Sequence, residues 1–193
     1  MNKRSGIESR QRIMAAACKK FSQCGYSNAS IRVIAAAAGI STGGLYLYFK
    51  NKQDLYLSLI RELMSEITRE YDTILKETDD PQEAIRRFVK LNMRYAKNHR
   101  QLIMQTRELG FSVGIEMKRA FFRKQINIIE AFIRKGIAVG LFEPCDVRKT
   151  AGVIQGAQRG FIISMLFDEY SRLSPQECSS FILKGLSRRS HRW

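Results

Sequence analysis

Acidic residues are scarce in this chain: 18 Asp and Glu stand against 33 Lys and Arg, a net charge of +15. That balance favours nucleic acid or an anionic membrane surface as partner. The imbalance is steepest at the start. Residues 1–52 hold nine Lys or Arg and a single acid, Glu8. Long apolar runs are also missing. The longest candidate, 161–167, falls far short of the roughly 18 residues that span a bilayer, so no membrane partner is expected. No apolar stretch follows Met1-Asn2-Lys3-Arg4, so no secretory signal is expected. The four cysteines, Cys18, Cys24, Cys145 and Cys178, include no Cys-x-x-Cys pair, and the two histidines, His99 and His191, lie far apart. No metal, cofactor or redox site is expected, and reduced thiols in a cytoplasm are the plain reading.

Sustained strand alternation is absent, and the three prolines fall only at boundaries. Asp80-Pro81-x-Glu83 and Ser174-Pro175-x-Glu177 each read as a capping residue, Pro at the first helical position, then Glu at the third. Pro144 sits in a break after Gly140-Leu141-Phe142. What remains is helix, and 45% hydrophobic residues suffice for a packed core. The periodicity predicts about nine helices, over 8–24, 31–38, 42–48, 52–76, 81–98, 100–109, 115–139, 146–167 and 175–186. The fold class is therefore all-α. A basic tail, 187–193, follows.

Ile13, Ala16, Ala17 and Phe21 form one apolar stripe, which Gly25 ends. Ser30 is an N-cap, and Ile31, Ile34, Ala35 and Ala38 make the next buried face. Gly39 stops that short helix, Ile40 plugs the turn, and Ser41 caps a second short helix. Two short helices around a glycine-containing turn have helix-turn-helix geometry, in which the second helix enters the DNA major groove.

The full pattern reads Gly25-Tyr26-x-x-x-Ser30-Ile31-Arg32-x-Ile34-Ala35-x-x-Ala38-Gly39-Ile40-Ser41-x-Gly43-x-Leu45-Tyr46-x-Tyr48-Phe49-x-x-Lys52-x-x-Leu55. It resembles the DNA-binding domain of the tetracycline-repressor (TetR) family, specifically over about the first 60 residues. The resemblance implies a three-helix DNA-binding domain, 1–52, followed by a helical effector-binding and dimerisation domain, 53–193. It implies that Ser30 and Arg32 contact phosphates, and that Thr42, Gly43, Gly44, Tyr46 and Tyr48 face DNA, with Ser41 at the head of their helix. Lys52 would hold a phosphate, helped by the positive end of its own helix. Leu45 and Phe49 would be core. Thr42 stands where the family often has a basic residue, Val33 where it often has an acid, and Lys20 where Leu is usual. Gly44 offers no side chain to a base.

Three motifs mislead. Gly39-Ile40-Ser41-Thr42-Gly43 fits a hydrolase nucleophile elbow, but helix rather than strand precedes it. Asn28-Ala29-Ser30 fits a glycosylation sequon with no sign of secretion. Gly152-x-x-x-Gly156-x-x-x-Gly160 resembles a membrane dimer motif, yet Gln155, Gln158 and Arg159 lie within it.

For the C-terminal part the resemblance implies a homodimer that reads a palindromic double-stranded DNA operator. Ile154, Gly156, Gly160, Ile163 and Phe167 on one helix, and Phe181, Ile182 and Leu186 on the next, are the candidate interface. Packing within one chain is the alternative. The middle helices hold flexible and aromatic residues suited to an adaptable apolar cavity or simply to a core: Met93, Met104, Phe111, Met117 and Phe121. Arg107 and Glu108 fall among them as candidates for a ligand's polar group. The expected effector is a small, largely apolar molecule, either an acyl chain with a charged head or a lipophilic drug. The functional expectation is a ligand-released repressor. An architectural DNA binder would share the charge but lack an effector response. A small enzyme would need a titratable cluster, which the sequence does not show.

Overall fold

The structure is a computed structural model and describes residues 3–105, 114–168 and 173–187. Among these residues the chain forms nine helices. They are α1 (Lys3–Asn28), α2 (Ile31–Ala37), α3 (Thr42–Tyr46), α4 (Lys52–Glu77), α5 (Pro81–Asn98), α6 (Arg100–Gln105), α7 (Ile115–Ala138), α8 (Val147–Phe167) and α9 (Pro175–Leu186). Among the described residues no helix is long and apolar enough to cross a membrane.

Local hydrogen bonds set most boundaries. Ser30 Oγ accepts from Val33 N, Ser41 Oγ from Gly44 N, and Asp146 from Lys149 N, which satisfies N–H groups that each helix start leaves unpaired. Ser174 and Glu177 form the expected capping box at α9. That contact holds the Glu177 carboxyl below its ordinary range, chiefly through the Ser174 hydroxyl. At α5 the box is incomplete: Asp80 accepts from Gln82 N, while Glu83 pairs with Arg86 instead of reaching back. Helix α1 is interrupted at Gly25, whose φ of 84° is left-handed, and one further turn follows. Helix α3 ends at Tyr46, two residues earlier than its periodicity suggests. The Leu45 carbonyl accepts from both Tyr48 N and Phe49 N there, a tightened last turn.

The chain divides into two compact units. One holds the described residues of Met1–Met64 and His99–Ile115; the other holds those of Ser65–Asn98 and Glu116–Trp193. The first unit thus runs past residue 52 and recruits α6. Its core explains why. Phe21, Leu45, Phe49, Leu55 and Tyr56 are all but fully buried. Phe21 and Tyr26 both pack edge-on against Tyr56, with ring centroids 5.2 and 5.1 Å away. The Tyr56 hydroxyl donates to the Leu102 carbonyl, and Gln105 Nε2 donates to the Phe21 carbonyl at 3.0 Å. Burying each such aromatic contributes about 1.5–3 kcal/mol.

In the second unit α5 packs on α8 and α9. Phe88, Val89, Met93, Ile129, Phe132, Ile133 and Phe142 fill its centre.

Candidate nucleic-acid interface

The helix-turn-helix comprises α2, the turn 38–41 and α3. Gly39 makes the turn with φ +69°, a region that a side chain rarely adopts. Ile34, Ala35, Ala38, Leu45 and Phe49 are buried beneath it, so the scaffold positions are apart from the surface ones. Ser30 and Ser41 are exposed. Their hydroxyl oxygens accept the cap bonds from Val33 N and Gly44 N, a role that does not use the hydroxyl protons. Arg32 and Gly43 are exposed, and Thr42, Gly44, Tyr48 and Lys52 are half-buried. Gly44 lies close over its cap: a Cβ there would sit 3.2 Å from Ser41 Oγ, whereas one at Gly43 meets nothing within 4 Å. Tyr46 is 51% exposed.

Two surface features escaped the sequence pattern. Leu47, which caps α3, is 75% exposed. Its position off the Leu45–Phe49 stripe is the signal that could have found it. Arg10 on α1 lies over the ring of Phe49, in the segment between α3 and α4, at 5.3 Å, a contact with no local signature.

Lys52 has a structural role beside the one the resemblance implies. Its ammonium donates to the carbonyls of Tyr26 at 2.8 Å and Ser27 at 3.1 Å, and it lies 4.5 Å from the Tyr26 ring centre. It therefore ties the start of α4 to the end of α1. The third ammonium proton remains for a phosphate. Lys52→Met is expected to lower unfolding stability by about 1–2 kcal/mol, since two charge-assisted hydrogen bonds are lost. A urea midpoint equal to that of the parent protein would show that the tie contributes nothing. The start of α4 is otherwise held by Asn51 Oδ1, which accepts from Asp54 N, and by Asp54, which accepts from Lys50 N.

The described candidate effector residues are divided between the two units. Met93 is fully buried in the second unit, and Met117 and Phe121 are half-buried on α7. Met104 belongs to the first unit, where it lines an open depression with Ser22, Cys24 and Gly25. Arg107, Glu108 and Phe111 lie outside the described residues. The second unit also has an open groove of about 400 Å³ bounded by α4, α5 and α9, whose lining includes Arg86, Arg87, Lys90 and Arg94 as well as Glu70 and Glu83. It is charged, and none of the candidate effector residues lines it. Among the described residues no group of three or more His, Cys, Asp or Glu is placed to hold a metal ion.

The α8 and α9 candidates fall into two sets. Ile154, Ile182 and Leu186 point inward and are buried. Gly156, Gly160, Ile163, Phe167 and Phe181 are exposed, and Val153, which the pattern left out, is 72% exposed. The face that looks outward is therefore one residue around the helix from the one that Ile154 marks.

Comparison with known proteins gives these features a context. Residues 13–59 match the model for bacterial regulatory proteins of the tetR family. The chain is 36% identical over 194 residues to the HTH-type transcriptional regulator AcrR of Shigella flexneri, covering 93% of this chain and 88% of that one. The transcriptional regulator FadR of Bacillus subtilis, solved with stearoyl-CoA, is 25% identical, with a TM-score of 0.71 over 90% of this chain and 95% of that one. A transcriptional regulator of Saccharomonospora viridis, solved with choline, is 20% identical, with a TM-score of 0.81 over 94% and 99%. The matched segment contains the capped turn and both of its short helices, and the likeness to AcrR extends over nearly the whole chain: this protein belongs to the TetR family of DNA-binding transcriptional regulators.

Proposed function

We propose that this regulator is a cytoplasmic repressor that binds a palindromic operator as a homodimer and leaves it when a small, largely apolar effector binds the second unit. The observation that carries the DNA-reading part is the first turn of α3. The Ser41 cap takes the Gly44 N–H, while the N–H groups of Thr42 and Gly43 face outward with no side chain at Gly43 in front of them, beside an exposed Tyr46. Such a turn can approach phosphates closely, while Tyr46, Tyr48 and Arg32 provide hydroxyl, ring and guanidinium contacts to backbone and base edges. Ser30, Ser41 and Lys52 flank it. The charge of the N-terminal segment supplies the salt-dependent attraction.

Dimerisation is supported by the outward face of α8 and α9, where Val153, Ile163, Phe167 and Phe181 are exposed large apolar side chains. Exposed Gly156 and Gly160 let another helix approach closely. A second copy of the chain would cover this face, and two-fold symmetry would match a palindrome. Effector control is supported by relatives of the same fold: one was solved with an acyl-CoA and another with choline. An effector that binds better to one spacing of the two recognition helices shifts the population away from the DNA-bound spacing.

The test is a gel-shift titration of the purified protein against the DNA upstream of its own gene, with random DNA as competitor at moderate salt. A palindromic site is expected to compete at least tenfold better than random DNA, in keeping with specific protein–DNA complexes. Tyr48→Ala is expected to weaken that binding by about 1–3 kcal/mol, roughly 5- to 150-fold, with its melting temperature close to the parent's. No preference for any palindromic site would defeat the regulator reading. Unchanged affinity in Tyr48→Ala would defeat this assignment of the DNA-facing residue.

A further inference from the structure

The second unit contains a buried polar chain that DNA binding does not use. The Tyr71 hydroxyl on α4 donates to Asn92 Oδ1 on α5 at 2.5 Å. Gln125 Nε2 on α7 donates to the Tyr71 hydroxyl at 2.8 Å and to Asn92 Oδ1 at 2.9 Å. Gln155 Nε2 on α8 donates to the Phe122 carbonyl at 2.8 Å and to Gln125 Oε1 at 3.3 Å. Asn92 Nδ2 ends the chain on the Phe88 carbonyl at 2.8 Å. Four helices are linked, and every member is uncharged. Burial pushes the Tyr71 hydroxyl far above its ordinary range, so it stays a donor.

Three residues beyond Gln155 on α8 stands Gln158. It is 2% exposed, and its Nε2 has no hydrogen-bond partner among the described residues. Buried donors are paired in the great majority of proteins, so Gln158 Nε2 is a place where an acceptor from outside the chain, a water or a ligand, can bind. The neighbouring surface is apolar and only partly covered. Phe122, whose carbonyl holds Gln155, is half-buried, as are Met117 and Phe121 on the same helix. Further along α7, Ile128, Ile129, Phe132 and Ile133 are fully buried. Arg159 lies over the Phe122 ring at 4.4 Å and is itself exposed, at the rim.

We propose that Gln158 Nε2 is the donor for an uncharged oxygen acceptor on the effector, a carbonyl such as that of an acyl ester or thioester, with the apolar chain against Met117, Phe121 and Phe122. This rests on the effector reading above and narrows it. A charged head placed against Tyr71, Asn92, Gln125, Gln155 and Gln158 would lose its hydration with no counter-charge in the cluster. A neutral acceptor instead supplies a partner for Gln158 Nε2. Any charged remainder of the molecule would stay outside, at the Arg159 rim.

The test uses three probes of one chain length: methyl laurate below its solubility limit, and laurate and dodecyltrimethylammonium below their micellar concentrations. Binding to the full-length protein is measured by calorimetry, and melting temperature is read in parallel. Methyl laurate is expected to bind at least tenfold more tightly than either charged probe. Gln158→Leu is expected to lose about tenfold of that affinity. Its melting temperature should be unchanged or raised, because an apolar group of similar size replaces an unpaired donor; a purely structural glutamine would show the opposite. Equal binding of all three probes, or undiminished ester binding by Gln158→Leu, overturns the proposal and leaves the effector reading standing. Binding of none of the three overturns both. Failure of both Gln158→Leu and Gln158→Met to fold also overturns the proposal, since Gln158 would then be a needed part of the core.

Discussion

Gly43→Asp is expected to weaken specific DNA binding by roughly 100-fold without weakening the fold. Gly43 is exposed at the second position of α3, and a Cβ there meets nothing within 4 Å. The cap from Ser41 goes to Gly44 N and is untouched. A carboxylate in a first helical turn is favoured by about 0.3–1 kcal/mol, towards the low end for so short a helix, and leaving glycine adds a few tenths more. Stability should therefore hold or rise slightly. On DNA the sign reverses. In the proposed complex the same carboxylate would face phosphates, and like charges brought together across an interface cost several kcal/mol. A penalty of about 3 kcal/mol is roughly a 100-fold loss of affinity. Gly43→Asn has the same size without the charge and should lose less than about tenfold. Fluorescence anisotropy with labelled operator, beside a thermal melt of each variant, measures both effects. Gly43→Asp binding within threefold of the parent protein would show that the first turn of α3 does not lie against the DNA backbone.

That prediction can be made because the turn is a local structure, and local structures are what this sequence displays openly. Ser30, Ser41 and Ser174 accept from N–H groups three residues on, and Gly25 and Gly39 take positive φ where the periodicity breaks. The helices and the helix-turn-helix follow from such signals, and the family pattern adds the identity of the surface residues. Contacts made across long stretches of chain were not legible. Nothing near Lys52 in sequence announces that its partners are the carbonyls of Tyr26 and Ser27. Nor does anything near Gln105 announce the Phe21 carbonyl. The buried polar chain had no signal either, because Asn92, Gln125 and Gln155 look like ordinary surface residues until four helices converge on them. Helix α8 shows a different limit. It is apolar on more than one side, so periodicity alone could not decide between Ile154 and Val153, which lie about 100° apart on a helix of 3.6 residues per turn. Packing buries the first and exposes the second.

Gly136→Ala is expected to destabilise the second unit by about 2–4 kcal/mol, although alanine is the better helix former. Gly136 lies inside α7, where a glycine ordinarily costs about 1 kcal/mol relative to alanine. The tertiary contact outweighs that. A Cβ at Gly136 would lie 2.0 Å from Phe142 Cδ2 and 2.3 Å from Cε2, so the ring rests directly on the glycine. The ring cannot simply retreat. Phe142 N and Leu141 N both donate to the Gly136 carbonyl, at 3.2 and 2.9 Å, and Glu143 N donates to the Leu186 carbonyl at 3.0 Å. The segment is thus fixed to α7 on one side and to the end of α9 on the other. Added bulk must expel the ring, which is 2% exposed, or break those bonds. Loss of an aromatic's burial costs about 3–5 kcal/mol with its cavity, offset in part by the gain in helix propensity. For a chain of this size the melting temperature should fall by roughly 5–15 °C. The double variant Gly136→Ala with Phe142→Ala distinguishes this cause from a general intolerance of the site. Two residues in direct contact are not additive, so the double loss should fall short of the two single losses together by about 1–3 kcal/mol. If the single losses simply add, the ring is not what excludes a side chain at Gly136.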